Sequence, residues 1–562
     1  MVTDISEFID LLKAKKQTGN GRIVVFAGAA ISKKAPSNMP LANNLLDDTL
    51  NAILPAADSR LPHTLKGILK NDKQREEIRE TITKASRERL LPLELFYDSI
   101  FEYTGKKVFD VFDCLKNGQP NENHRILIML LEGGYIDQII TTNFDSLLEQ
   151  SLSSKRLWGS SKFRKQIWKI HGDINNSDTM VAIFRSVGQM LFNDGMLTEL
   201  KKCLGKSHVL FIGYGGTDLD LLPALVQAKM KSVFWIAYDK KEYDDKSNKK
   251  PWTTINKNCG GTRWIVGDLY DSALAKIEEE IFPNSQKKTD NQSSDSKQHR
   301  PNLAAGWLQF SENASAILQI LYNTAMVSPS PQAQGIWDLI GEIADELLAS
   351  PQTSVKGGDK LIRDLRSFRA EVHLQKGEIV EAKNHLTKII PIRIDDQIQA
   401  KALLNAGAIL TGLPGDENAE GAEYLFFEAL RIANGLPKQE AGRLSLQGRC
   451  HANLAILRIR QNRPYETSRH YESAARLFKE EGSLLEYIHL SINQARHFMH
   501  LGDTANVLKC FFRAEQEHNL MSSSNDQLGN ALGELEQEIK KAGVDIVELR
   551  SQFTAGNLDI NP

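Results

Sequence analysis

The stretch RIVVFAGAAIS, residues 22–32, decides how the first half of the chain is read. Its apolar run Ile23–Phe26 suits a strand buried on both faces. Gly28, Ala29 and Ala30 follow without a break. Small residues directly after a buried strand let another group come close to the backbone. In an α/β domain that group is often a phosphate at the start of the next helix. A tight packing turn uses the same residues, and a glycine-rich turn alone does not separate the two readings.

Runs of the same kind recur downstream as IDQIITTN (136–143), SHVLFIGYG (207–215), KSVFWIAY (231–238) and TRWIVGD (262–268). Helical patterns lie between them, so residues 1–285 are predicted to form an α/β domain with a Rossmann-like parallel sheet. The charged helical pattern at about 55–118 reads as an insertion packed beside that sheet. Residues 286–302 are polar and read as a linker. From 303 to 562 the strand signals vanish. ALLNAGAILTG (402–412), ANLAILRIRQN (452–462) and INQARHFMHLGD (492–503) look alike, and each precedes a second alanine-bearing helical segment. That spacing predicts an all-α helical-repeat domain resembling tetratricopeptide repeats, with a non-repeating helical bundle as the competing expectation.

Composition narrows the function classes. The net charge of -2 gives no argument for nucleic-acid binding. No run of about 18 apolar residues predicts a membrane span, and the N-terminus lacks the pattern of a secretion signal. The five cysteines are scattered and form no CxxC pair, which suits a reducing cytoplasm and predicts no zinc site.

The chemistry-bearing residues fall at strand ends. Asn143 and Asp145 follow the strand IDQIITT, where open parallel sheets bind ligands, and Asp145 can instead cap the next helix. His171 ends the short run WKIH and is the best general-base candidate among the 13 histidines. Gly213, Tyr214, Gly215 and Gly216 end the strand HVLFI. Asp218 and Asp220 follow, where they can cap the next helix or touch a ligand, capping being the better reading for Asp220.

Taken in order, AGAAIS, TTNFD (141–145), the His171-Gly172 pair and GYGG (213–216) resemble the SIR2, or sirtuin-like, family across residues 1–285. The resemblance implies that NAD is the substrate. It makes Asn143 and His171 catalytic, and gives NAD-binding roles to Gly28, Ala29, Ala30, Ser32, Thr142, Asp145, Gly213, Tyr214, Gly215 and Asp268. Sirtuin deacylases carry a four-cysteine zinc module after the histidine, but the interval 172–208 here holds only Cys203. The chain is therefore similar to zinc-free NAD hydrolases of bacterial antiphage defence, in which NAD loss stops an infected cell. That likeness implies a homo-oligomer and a protein partner or phage-derived trigger acting through the repeats. Two alternatives stay open: an NAD-dependent deacylase or ADP-ribosyltransferase, and a non-catalytic sensor of NAD or ADP-ribose.

Overall fold

A computed structural model of the chain describes residues 2–54, 72–88, 90–153, 166–192, 194–216, 218–247, 252–259, 261–268, 273–284, 299–301, 303, 307–350, 353, 358–391, 394–520, 527–544, 546 and 550. Most of the expected linker, the start of the expected insertion, Thr217 and residues 269–272 lie outside these. Contacts group the chain into two units. The first comprises Met1–Thr49, Phe109–Ala182 and Asn193–Leu303, and the second Leu50–Val108, Ile183–Phe192 and Ala304–Pro562.

The first unit is built on six parallel strands: β1 (Ile23–Ala27), β2 (Gln138–Thr141), β3 (Ile167–Lys169), β4 (His208–Ile212), β5 (Ser232–Ala237) and β6 (Thr262–Val266). Their order in the sheet is β3-β2-β1-β4-β5-β6. The Rossmann-like expectation for this region therefore holds. Chain direction across the sheet reverses between β1 and β4, which is where such sheets open a crevice at the strand carboxyl ends.

Alternation along the strands divides the core. Val25, Ala27, Leu210, Ile212 and Phe234 face a layer that includes Phe8, Ile9 and Leu12 of the helix Ser6–Thr18 and Leu127 of the helix Glu122–Glu132. Phe26, Phe211 and Trp235 point the other way and form an aromatic row. Their ring centroids lie 5.3 Å (Phe26–Phe211) and 4.4 Å (Phe211–Trp235) apart. All three are essentially solvent-free, and burial of each such side chain stabilises the fold by about 1.5–3 kcal/mol.

The second unit is helical throughout its described residues. Helices Gln397–Gly412 and Asp416–Gly435 form one pair, and Arg443–Arg460 and Pro464–Glu481 the next. Leu484–His500 and Thr504–Leu520 form a third. The short connections force antiparallel packing. A glycine in the first helix of two pairs receives a phenylalanine ring from the second. A Cβ on Gly407 would lie 2.6 Å from Phe426, and one on Gly448 2.5 Å from Phe478. This arrangement is consistent with the helical-repeat expectation.

The helix Leu93–Thr104, inside the expected insertion, packs on Phe310–Val327 of this same unit. The described part of the insertion, from residue 72 onward, is mainly helical. Through residue 108, though, it is grouped with the later helices and not with the sheet. The apolar face that made it look like a sheet cover, with Leu95, Phe96 and Ile100 buried, is equally suited to a helix neighbour.

The second unit also contains a pH-sensitive contact. His451 and His470 face each other with their Nδ1 atoms 3.0 Å apart. Burial pushes the His451 imidazole down to about 4, and His470 lies below its usual range for the same reason. Both rings are easier to protonate once unfolded. The contribution of His451 is therefore complete above pH ~6.5 and lost as pH falls toward about 4, and that of His470 is lost in the same direction. His451→Leu is expected to flatten the fall in Tm over that window by the equivalent of about 1–2 kcal/mol, measured as the difference from wild type in thermal melts.

Candidate active site

Four strand ends supply the site. Gly28 and Gly213 end β1 and β4 and are pressed together. The Gly28 amide donates to the Ile212 carbonyl at 3.0 Å, and the Ala30 amide donates to the Gly213 carbonyl at 3.1 Å. A Cβ on Gly28 would lie 2.6 Å from the Gly213 oxygen, and Gly213 itself has φ +63°. The segment after Gly28 is a single 3-10 turn, Ala29–Ser32, and not an α-helix. The amides of Gly28, Ala30 and Ile31 are thus bonded within the fold. The packing reading of this turn is the one these bonds express. The amide cradle expected from the sequence is reduced accordingly, and what the turn supplies to the crevice is Ser32.

Ser32 anchors the first of two polar clusters. Its hydroxyl lies 3.0 Å from Asp145 Oδ2 and 3.0 Å from His124 Nε2. His124 Nδ1 in turn lies 2.7 Å from Asn121 Oδ1, and Asn121 Nδ2 holds the carbonyls of Ile31 and Lys34. Burial pushes the His124 imidazole down to about 3, so the ring is neutral and carries one proton. With that proton on Nε2, it points to Ser32, whose own hydroxyl donates to Asp145. With it on Nδ1, it points to Asn121, and Ser32 donates to the ring. Burial raises the Asp145 carboxyl above its usual range, against the pull of the Leu147 amide and Lys169.

Asn143 completes this cluster. Its Nδ2 lies 3.4 Å from both Ser32 Oγ and Asp145 Oδ2. An ionised carboxylate only accepts, so the amide nitrogen is the end that faces it. Asn143 Oδ1 is then buried with no hydrogen-bond partner among the described residues. Leaving such an acceptor unmatched costs about 1–3 kcal/mol, and native structures keep few of them without a use.

His171 anchors the second cluster. Thr141 and Lys169 are paired across β2 and β3. Asn143 and His171 each lie two residues beyond that pair, so they leave the sheet from neighbouring strands. His171 Nε2 is 3.0 Å from Asp220 Oδ2, and its Nδ1 is 4.0 Å from Asp218 Oδ1. The Tyr214 hydroxyl faces Asp218. Burial raises the Asp218 carboxyl; His171 opposes that rise and Asp220 adds to it. Gly172 has φ +90°, and a Cβ there would lie 2.0 Å from the Thr179 carbonyl oxygen. The glycine after His171 is therefore required by backbone packing. An imidazole with a carboxylate 3.0 Å from one ring nitrogen is placed like a general base beside an orienting group.

The helix-capping reading of the two aspartates does not hold. The helix Leu222–Gln227 starts from Leu221 without a side-chain cap. Asp220 is buried against His171 instead. Thr142 continues the ladder through its amide to the Ala27 carbonyl, and Gly215 is exposed. Asp268 lies beyond β6, where it meets Lys34 Nζ at 2.7 Å on the surface.

Residues 137–256 match the family model of the SIR2-like domain. The SIR2-like segment carries β2 to β5, both catalytic candidates and the two aspartates, and it points to NAD-dependent chemistry in this unit. Ser32, Asn121 and His124 lie outside the match and join the site through the fold. No curated protein and no solved structure matches the chain.

Sequence reasoning missed Asn121 and His124. Their spacing, a capping asparagine three residues before a histidine, was the available signal. The pair does form a capping box at the start of Glu122–Glu132. Ser32→Ala is expected to destabilise the unit by about 2–3 kcal/mol, because it strands Asp145 and His124 together in the interior. Urea unfolding of wild type and variant measures this, and a change below about 0.5 kcal/mol would show that Ser32 does not hold the cluster.

Proposed function

We propose that the SIR2-like unit is an NAD glycohydrolase that cleaves NAD to nicotinamide and ADP-ribose. The observation that carries this reading is the unpartnered, buried Asn143 Oδ1 on the strand end beside the one that bears His171. An acceptor there suits a ribose hydroxyl or a water held for attack. Water adds to the ribose carbon as the glycosidic bond breaks. The bonding electron pair leaves with nicotinamide, and the water proton passes to His171. Asp220 orients the imidazole for that transfer. Asn143 positions the attacking oxygen.

Depletion of NAD by such an enzyme would disable a cell, so the activity has to be held back until it is needed. Its resemblance to zinc-free SIR2-like effectors supports a role in abortive infection, with the helical unit as the regulatory part, a protein or phage-derived trigger, and assembly into homo-oligomers.

Asn143→Ala and His171→Ala are each expected to slow nicotinamide release from NAD by about 100-fold or more, read by chromatography on purified full-length protein. Free ADP-ribose as the product supports hydrolysis; an acylated ADP-ribose or a modified protein would make the chain a transferase. NAD levels in infected and uninfected bacteria, carrying wild type or His171→Ala, test the cellular role. Wild-type turnover in both variants would remove the site from this assignment.

A further inference from the structure

The helical unit contains a half-open cavity of about 350 Å³, a volume in the range of small-molecule sites. It is walled by apolar and aromatic side chains, among them Leu95, Phe184, Tyr322 and Phe368. Its charges do not balance. Six carboxylates line it, those of Asp98, Glu102, Asp364, Glu371, Glu481 and Glu486, against the three cations Arg185, Lys401 and Arg449.

Two of the cations are already engaged. Arg185 bridges Asp98 at 2.6 Å and Glu481 at 2.9 Å. Lys401 holds Glu102 at 2.6 Å. That leaves Glu371 and Glu486 facing Arg449, while Asp364 lies in the field of Lys401, which already holds Glu102. Glu371 accepts from Asn405 at 2.9 Å, and Glu486 accepts from Ser445 at 3.3 Å. These are neutral donors and cancel no charge. The carboxyl of Asp364 is hydrogen-bonded to Ser315 and pushed up to about 6 chiefly by burial, with Glu102 adding to the rise and Lys401 opposing it. The hydroxyl of Tyr103, a residue that also lines the cavity, is buried without a hydrogen-bond partner among the described residues.

Surplus negative charge in an apolar-walled space is costly unless a cation enters to answer it. Among the described residues, no group of acids lies close enough to hold a metal ion. The charges are spread along the walls, so the matching cation is extended and organic.

We propose that this cavity binds a small organic cation bearing ammonium or guanidinium groups, received by Glu371, Glu486 and Asp364 and by the Tyr103 hydroxyl. The aromatic walls add cation–π contacts to the ion pairs. The site lies within the helical unit and is independent of the NAD reading.

Spermidine and agmatine are the probes, titrated calorimetrically into the full-length chain, with 1,6-hexanediol as the neutral control. The expected result is a Kd of about 0.1 mM or tighter for at least one cation, and no heat from the diol. Glu486→Gln is expected to weaken binding about tenfold. Arg449→Gln, which removes the opposing charge, is expected to tighten it severalfold. Unliganded Tm and circular dichroism establish that each variant is folded, and a misfolded Glu486→Gln is replaced by Glu371→Gln with the same expectation. Binding of neither cation up to about 10 mM overturns the proposal. So does an unchanged Kd in the acid variant, or weaker binding in Arg449→Gln.

Discussion

The first unit depends on how closely the ends of β1 and β4 approach. The Gly28 and Ala30 amides bond to the end of β4, and a methyl group on Gly28 would overlap the Gly213 carbonyl. Such an overlap cannot be relieved without moving one strand end, because both contacts are backbone. This closure falls at the switch point of the sheet, between two neighbouring strands from which the chain departs in opposite directions. It fixes where Ser32 emerges from one strand end and Tyr214 from the other, and both polar clusters start from those two residues.

The clusters differ in kind. The one around Ser32 is nearly closed: hydroxyl, imidazole, carboxyl and amide satisfy one another, apart from Asn143 Oδ1. Buried networks of this sort rigidify what they join when fully satisfied. Here they join the turn after β1, the turn after β2 and the start of the helix Glu122–Glu132. A single unmatched acceptor in an otherwise matched network therefore stands out as a position kept for something else. The cluster around His171 is acidic and held by side chains that follow β4, so the imidazole of one strand end is set by the loop of another.

The sheet was legible because its signal is local. Each strand is a continuous apolar run followed by a small or polar turn, and such runs announce a parallel sheet without help from the rest of the chain. Asn143 and His171 were legible for the same reason, standing just past those runs. His124 was not, because its role comes from a contact with Ser32 that is 92 residues away in sequence. Asp220 was misread for a related reason: an aspartate before a helix is a good cap by local rules, and only the fold reveals the imidazole that competes for it. The insertion shows the limit of amphipathicity, which tells that a helix has a buried face but not which neighbour buries it.

Charge along the crevice edge also follows from these placements. On the β3 side, His171 is flanked by Asp218 and Asp220. On the β5 and β6 side, Lys33 lies over the Tyr238 ring at 5.0 Å and Lys34 meets Asp268. The Lys34 contact is half exposed, and a surface pair of that kind contributes about 0–1 kcal/mol. A phosphate can therefore replace Asp268 as the partner of Lys34 at small cost, since charge-assisted bonds to phosphate are at least as strong. The edge is acidic at one end and offers exchangeable cations toward the other. A dinucleotide with a pyridinium ring at one end and a diphosphate at its middle has the same polarity. In the NAD reading proposed above, that match means that the glycine-rich turn, whose Gly28, Ala30 and Ile31 amides are bonded inside the fold, does not hold the phosphates alone.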